Sequence, residues 1–182
     1  MSFSLKQNLI NMLYLHIFID SSVNNQLKIG YGAYLVVSVL GTAIVSLKDT
    51  VKVKRFEQTS STKLELQTLL WALSETIALY GGSDMVLTVY TDSQNIIGLP
   101  GRRARLAGSN YLSNKNKQLN NYELYQEFYR LSSNLTCEFV KVIGHQPSNK
   151  KDEIDKLFGL VDQASRQALR KDILLKLISS RE

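Results

Sequence analysis

The sequence contains very little cysteine or proline, and this scarcity excludes several classes of protein. The single cysteine, Cys137, rules out an internal disulfide and a zinc site built from several thiolates. Only two prolines among 182 residues argue against a disordered linker. No apolar run reaches the roughly 20 residues needed to cross a bilayer, and the pattern of a secretory signal is missing. We therefore expect an intracellular, cytoplasmic protein without a membrane partner.

The remaining composition is that of a globular chain with an excess of positive charge. Hydrophobic residues make up 44% and charged residues 21%, which suits one domain over residues 1–182. There are 22 Lys and Arg against 16 Asp and Glu, so the net charge is +6. The cations occur in clusters, notably at residues 48–55 and 102–105. A clustered excess of this kind indicates a polyanionic partner, most commonly nucleic acid.

The segment Leu13 to Asp20 contains seven mostly apolar residues followed by a carboxylate. A run of that length is typical of a strand covered on both faces, as at the centre of an α/β sheet. Asp20 would then lie at the carboxyl end of the strand, where such sheets bind ligands. The alternative is that Asp20 only opens the polar turn that follows, because Asp is a common turn residue.

Hydrophobic periodicity predicts four further strands and four helices. We predict strands over Ile29–Ser38, Thr42–Phe56 with a break near Asp49, Met85–Thr91 and Thr136–Ile143, and helices over residues 62–80, 93–99, 121–133 and 152–178. With Thr62 as the N-cap of the first long helix, Glu65 has the spacing of a capping box. The pair Pro100-Gly101 is expected to end a short helix and begin a basic loop that continues to Asn120.

Four carboxylates occupy comparable places in this pattern. Asp20 and Asp92 follow strands, Glu65 lies in the first turn of a helix, and Asp162 lies in the last helical segment. If the two strands are neighbours, Asp20 and Asp92 converge, and clustered carboxylates repel unless a cation neutralises them. Oxygen ligands of this type suit Mg²⁺ or Mn²⁺, and two such ions can stabilise the attacking and leaving oxygens of a phosphodiester displacement. The rival interpretation is a set of unrelated surface acids.

The order of the motifs resembles that of ribonuclease H, type 1. The resemblance covers about residues 13–170 and rests on Asp20-Ser-Ser, Gly30-Tyr-Gly-Ala, Thr62-Lys-Leu-Glu-Leu, Tyr90-Thr-Asp-Ser-Gln, Val142-Ile-Gly-His and Val161-Asp-Gln-Ala-Ser-Arg. It implies an α/β fold, the ribonuclease H-like three-layer α/β/α arrangement with a five-stranded mixed sheet in the order 3-2-1-4-5. It also implies an endonuclease that hydrolyses the RNA strand of an RNA–DNA hybrid and leaves 5′-phosphate and 3′-hydroxyl ends. We expect a monomer without a small-molecule cofactor.

The same resemblance implies roles for individual residues. Asp20 would bridge two Mg²⁺ ions, with Mn²⁺ as the alternative, while Glu65 and Asp92 complete one site and Asp162 the other. His145 would help to activate water or release product. The expected nucleic-acid contacts are Ser61, Thr62, Lys63, Ser93, Gln94, Arg102, Arg103, Arg105 and Asn121.

Alternatives remain open at this level. Asp155 lies seven residues before Asp162, on the same face of a continuous helix, and competes with it as the fourth ligand. The chain could also be another nuclease of the same fold, of the DNA exonuclease or resolvase type, or a non-catalytic nucleic-acid-binding module. The cellular substrate and the metal preference are likewise left open by the sequence.

Overall fold

A five-stranded mixed sheet forms the centre of the molecule. The computed structural model describes residues 12–81, 85–143 and 151–179. The strands are β1 (Leu13–Asn24), β2 (Ile29–Val37), β3 (Lys52–Glu57), β4 (Met85–Thr91) and β5 (Thr136–Lys141). Their order is β3-β2-β1-β4-β5, with β2 antiparallel to β1 and β3, and β4 parallel to β1 and β5. The predicted sheet order is confirmed.

Helices cover both faces of this sheet. They are α1 (Ile44–Leu47), α2 (Ser61–Tyr80), α3 (Gln94–Ile97), α4 (Leu99–Gly108), α5 (Tyr122–Ser132) and α6 (Glu153–Ser179), with a 3₁₀ turn at Lys48–Thr50. Both α2 and α6 contact β1 and β2, and α5 packs on α2. In the described part of the chain, no helix combines the length and the apolar character that crossing a membrane requires.

The alternation of side chains along β1 produces two separate cores. Leu15, Ile17 and Ile19 are buried with the apolar residues of α2 and α5. Phe18 points to the opposite face, where it is buried with residues of β2 and α6 such as Leu157. Successive residues of a strand face opposite sides of the sheet, so the unbroken apolar run of β1 fits a strand between two helical layers. This is the predicted three-layer α/β/α arrangement.

Two glycines of β2 allow α2 to approach the sheet closely. A Cβ atom at Gly32 would lie 2.2 Å from the Oγ1 atom of Thr68, and one at Gly30 would lie 2.4 Å from a methyl group of Leu64. Either contact is shorter than carbon can tolerate, so any side chain would push the helix away. This close approach places the first turns of α2, which contain Glu65, directly against the sheet.

The prediction of a strand over residues 42–50 was wrong. This segment forms α1 and the 3₁₀ turn, and the pairing of β3 with β2 begins only at Lys52, opposite Tyr34. Ile44, Leu47 and Val51 pack against the core on the α6 side. Their spacing of three and four residues is helical, and the segment lies beyond the part of β2 that pairs with β3.

Two predictions about helix ends were also wrong. Residues 99–108, expected to be a break and a loop, form α4 with Pro100 in its first turn. Proline is tolerated there because the first N–H groups of a helix have no intrahelical partner. The N-cap of α2 is Ser60 instead of Thr62, and no side chain caps that end, so the expected capping box is absent.

Candidate active site

The sheet brings Asp20 and Asp92 to the same edge. The parallel pairing of β1 with β4 ends at Phe18 opposite Tyr90. Asp20 lies two residues after Phe18 on β1 and is still paired with Ala33 of β2. Asp92 lies two residues after Tyr90, directly beyond the end of β4. In parallel strands these positions are level and one strand spacing apart, about 5 Å. The convergence that the sequence predicted therefore follows from the register.

Glu65 and Asp162 reach the same edge from the two helical layers. Glu65 comes from the second turn of α2, and Asp162 from the middle of α6, which continues through Gly159 without a break. Together with Asp20 and Asp92, they line one open cleft of about 190 Å³. The four predicted carboxylates thus face a shared space, so they are not scattered acids on separate surfaces.

Burial makes Asp20 difficult to ionise. It raises the pKa of Asp20 from 3.8 to about 7, and the negative charges of Asp92 and Asp162 add to the effect. A hydrogen bond from the hydroxyl of Ser165, 2.7 Å from Oδ2, opposes this shift. A carboxylate in this position needs positive charge close by to remain ionised at neutral pH.

Glu65 is also buried close to a negative charge, but two side chains counteract the resulting rise in its pKa. Burial raises the pKa of Glu65, and the charge of Asp92 raises it further. Ser93 Oγ donates a 2.7 Å hydrogen bond to Glu65 Oε2, which lowers the pKa, and the side chain of Asn95 lowers it as well. Ser93 is also the N-cap of α3 and accepts from the Ile96 N–H. The start of α3 therefore helps to hold Glu65.

The chemistry of this donor set fits a hard divalent cation. Such ions prefer carboxylate oxygens, and four are directed at one cleft. Thr68 adds a buried hydroxyl oxygen to the lining that has no hydrogen-bond partner within the described residues. Across residues 12–81, 85–143 and 151–179, no group of three His, Cys, Asp or Glu side chains is close enough to hold an ion as it stands. The side chains must converge further to coordinate one.

The residues that the sequence analysis did not anticipate include Thr68 and Arg166, which line the cleft, and Ser165, which contacts Asp20 without lining it. Ser165 is fully buried and binds Asp20, Arg166 forms a 2.8 Å ion pair with Asp162, and Thr68 lies one turn after Glu65. A signal existed for each, because all three lie three or four residues from a predicted carboxylate on the same helix face. The contact of Ser165 with Asp20 joins two different elements, however, and is visible only in the folded chain.

Two of the predicted nucleic-acid contacts, Thr62 and Asn121, line a second polar cleft. It has a volume of about 440 Å³ and is lined by Ser60, Thr62, Asn120, Asn121 and Tyr125. It lies between the first turns of α2 and α5. Neither N-cap makes a side-chain capping bond, and Asn121 adopts a left-handed backbone conformation with φ 62°. Uncapped backbone N–H groups and amide side chains together are suited to bind an anion such as a phosphate.

The remaining predicted contacts on α2 and α3 differ in their availability. Ser61 is exposed in the first turn of α2, whereas the amine of Lys63 is 2.8 Å from the Gln58 carbonyl oxygen. Ser93 is buried beside Glu65. Gln94 is exposed, and its Oε1 accepts a 2.8 Å hydrogen bond from the amine of Lys141 at the end of β5. Lys141 therefore adds an unpredicted cation at this edge of the sheet.

The three arginines predicted to bind nucleic acid all lie on α4, in unequal settings. Arg103 and Arg105 are exposed, and the guanidinium carbon of Arg103 is 5.9 Å from the centre of the Tyr129 ring. Arg102 instead folds back and donates to Asn95 and Gly98. The helix thus presents two cations outward and uses the third internally.

Of the two remaining candidate site residues, His145 and Asp155, the structure describes only Asp155. His145 lies outside the described residues. Asp155 lies in the first turn of α6, where its backbone N–H donates to the side chain of Asp152 and its own carboxylate accepts from the Asp152 N–H. It does not line the cleft that contains Asp162.

Solved structures with the same architecture define the class of fold. The crystal structure of LC9-RNase H1, a type 1 RNase H with the type 2 active-site motif, superposes with a TM-score of 0.64 at 16% identity, covering 86% of this chain and 72% of that one. The solution structure of the PFV RNase H domain gives 0.58 at 13%, covering 85% and 92%. The foamy viral protease-reverse transcriptase in complex with dsDNA gives 0.56 at 12%, covering 86% and 96%. The fold is that of the ribonuclease H-like nucleases.

The particular family follows from the sequence profile. The family model for RNase H matches residues 13–165, most of the chain, and this protein belongs to the RNase H family. It is therefore a ribonuclease H, a nuclease that acts on RNA–DNA hybrids, and its family uses divalent metal ions. No curated protein matches it by sequence.

Proposed function

We propose that this ribonuclease H hydrolyses the RNA strand of RNA–DNA hybrids by two-metal-ion catalysis and leaves 5′-phosphate and 3′-hydroxyl ends. The observation that carries the proposal is the meeting of Asp20, Glu65, Asp92 and Asp162 in one cleft. They come from four different elements, which no local pattern would bring together by chance.

The carboxylates have distinct parts in this proposal. Asp20, at the centre, would hold both ions, Glu65 and Asp92 one of them, and Asp162 the other. Two divalent ions, Mg²⁺ or Mn²⁺, supply stabilisation of the attacking and leaving oxygens at the phosphorus. The raised pKa of Asp20 supports this assignment, because a nearby cation removes the cost of ionising a buried carboxylate. Ser93 and Ser165 keep Glu65 and Asp20 directed into the cleft.

We propose that the hybrid lies across the two clefts. Ser61 and Thr62 lie next to Glu65 in the first turns of α2, where they can contact the 2′-hydroxyl groups that distinguish RNA from DNA. The polar cleft with Asn121 takes a backbone phosphate, and Arg103 and Arg105 contact phosphates further along. Lys63, Ser93 and Gln94 remain proposed contacts, whereas Arg102, also expected from the sequence, directs its guanidinium to Gly98 and Asn95. His145 is proposed to activate water or release product on the resemblance alone.

A cleavage assay on four duplexes tests the proposal. The protein is incubated with Mg²⁺ and end-labelled hybrid, RNA duplex, DNA duplex or a chimeric strand, and the cut positions are mapped. We expect cutting only in RNA paired with DNA. Extension by a polymerase and resistance to 5′ labelling before phosphatase treatment would identify the 3′-hydroxyl and 5′-phosphate ends.

Single substitutions test the site. Asp20→Asn and Asp92→Asn should each lower kcat by about 10²-fold or more, since each removes a charge that the transition state requires. Asp49→Asn, in the 3₁₀ turn away from the cleft, is the matched control and should cut normally. Cutting by Asp92→Asn at the wild-type rate would refute the assignment, and equal cutting of DNA duplex would favour a DNA nuclease.

Three further properties complete the proposal. We propose that residues 1–182 form one domain, since both cores share the same sheet, and that the protein acts as a monomer, since one chain supplies all four carboxylates. We also propose a cytoplasmic location. Limited proteolysis, light scattering and cell fractionation test these statements.

A further inference from the structure

The guanidinium of Arg102 is fixed against the junction between α3 and α4. Its Nε atom donates to the Gly98 carbonyl oxygen at 3.1 Å. Its two terminal nitrogens donate to the Asn95 side-chain oxygen Oδ1 at 3.0 Å and to the Asn95 carbonyl oxygen at 2.5 Å. A Cβ atom at Gly98 would lie 2.6 Å from the guanidinium, so only glycine leaves room for this arrangement. Three of the five N–H donors of Arg102 are therefore used inside the protein.

This contact determines which way the amide of Asn95 points. Arginine can only donate hydrogen bonds, so the atom of Asn95 that faces Arg102 must be the oxygen. The amide nitrogen Nδ2 consequently faces the other side. There it is buried and has no partner at hydrogen-bond geometry within the described residues. The N–H donors of Asn95 Nδ2 are therefore unused and shielded from water.

The group next to that buried donor is Glu65. Asn95 lies between Ser93 and Ile96 in the chain, both of which line the same cleft as Glu65, and its side chain acts on Glu65 as a donor that favours the ionised carboxylate. Ser93, two residues earlier on the same turn, donates to Oε2 of Glu65 at 2.7 Å. Glu65 therefore faces two donors from the start of α3, one engaged and one free to engage when the carboxylate turns.

We propose that Asn95 and Arg102 are positioning residues: Arg102 orients the amide of Asn95, and Asn95 holds the carboxylate of Glu65 in the direction that a divalent cation requires. The inference rests on the proposed function of the cleft. Residues that orient a metal ligand through hydrogen bonds typically contribute 10- to 100-fold to metal affinity or activity. Only the side chain of Asn95 connects Arg102 to Glu65, so Arg102 can affect the cleft without a wider change in the fold.

This role differs in its consequences from a phosphate contact by Arg102. A cation on a phosphate contributes to hybrid affinity, and its loss raises KM and reduces the salt dependence of binding. A positioning residue leaves hybrid affinity alone and changes metal affinity and kcat. The two roles are thus separable by measurements on the same variants.

A double-mutant cycle on Asn95→Leu and Arg102→Gln tests the inference. Each variant, and the two combined, is titrated with Mn²⁺ by calorimetry without nucleic acid, and assayed for kcat and KM on the hybrid. We expect each single change to weaken Mn²⁺ binding and to lower kcat by roughly tenfold, with KM unchanged. Because Arg102 acts through Asn95, the double variant should be no worse than Asn95→Leu.

Two further variants separate the positioning role from a loss of charge and from a loss of stability. Arg103→Gln removes the same charge from the neighbouring position and should leave Mn²⁺ affinity unchanged. Arg102→Lys keeps the charge but cannot bridge both oxygens of Asn95, so it should show the same loss as Arg102→Gln while melting at the wild-type temperature. Additive losses in the double variant, a change confined to KM, or full Mn²⁺ affinity in Arg102→Lys would overturn the inference. Since Mn²⁺ binding is measured without substrate, failure of the wild type to cut hybrids would refute the proposed function without deciding this point.

Discussion

Replacing Asp20 by Asn should make the metal-free protein more stable, and increasingly so as the pH rises. Asp20 has a pKa of about 7 in the folded chain against an ordinary value of 3.8. When the folded pKa of an acid is raised, the folded state binds the proton more tightly, so stability falls as pH increases between the two values. Asn does not titrate, so the substituted chain does not undergo this loss.

The magnitude follows from the size of the shift. A difference of about 3 pKa units corresponds to about 4 kcal/mol once both states are fully ionised. At about pH 5 the unfolded chain is already ionised and roughly 1.5 kcal/mol has been lost, whereas at about pH 8 nearly the whole amount has been lost. The stability advantage of Asp20→Asn should therefore grow by about 2.5 kcal/mol across this range.

Urea unfolding at several pH values, with a chelator present, measures this difference directly. Glu75→Gln is the control. Hydrogen bonds from Tyr34 and Trp71 lower the pKa of Glu75 below 4.5, so Glu75 is ionised in both states across the range and its difference should not change with pH. A pH-independent difference between wild type and Asp20→Asn, or one that shrinks at high pH, would show that Asp20 is not buried among like charges.

Two other predictions concern packing and reactivity. Gly32→Ala should lower the free energy of unfolding by about 1–3 kcal/mol, because the added carbon would lie 2.2 Å from Thr68. Gly101→Ala, on α4 with open space around it, should raise the free energy of unfolding by about 0.5–1 kcal/mol. Urea denaturation compares the two variants, and equal effects would contradict the close approach of α2 to the sheet. Burial raises the pKa of Cys137 to about 12, so a disulfide reagent at neutral pH should label the native protein much more slowly than the unfolded chain, and equal labelling rates would contradict this prediction.

Much of the fold follows from local patterns. The start of β1 at Leu13, the segment Met85–Thr91 and the end of α2 at Tyr80 were placed correctly, because burial on both faces and hydrophobic periodicity leave local signals. The prediction that the first strand ends at Asp20 was wrong, since β1 continues to Asn24. The segment 42–50 was misassigned because short apolar runs look alike in a strand and a helix, and only the missing partner strand decides between them. Pro100 was predicted to end a helix, because the sequence alone does not distinguish a proline that follows one helix from a proline in the first turn of the next.

The candidate site shows the same division. Asp20, Glu65, Asp92 and Asp162 were recognised from their motifs, which are local in the sequence. The contacts of Arg102 were not, since Asn95 lies on a different helix and nothing in the spacing indicates that the arginine turns back to it.

By itself, the sequence determined which residues can act and in what order they occur along the chain. Only the tertiary structure decided how they act on one another. Ser165 reaches Asp20 across 145 positions of the chain, and the raised pKa of Asp20 depends on burial and on the charges of Asp92, directly after β4, and Asp162 on α6. Electrostatic interactions depend on distance through space, whereas sequence patterns report the spacing along the backbone, so the chemistry of the cleft exists only once the sheet and both helical layers are assembled.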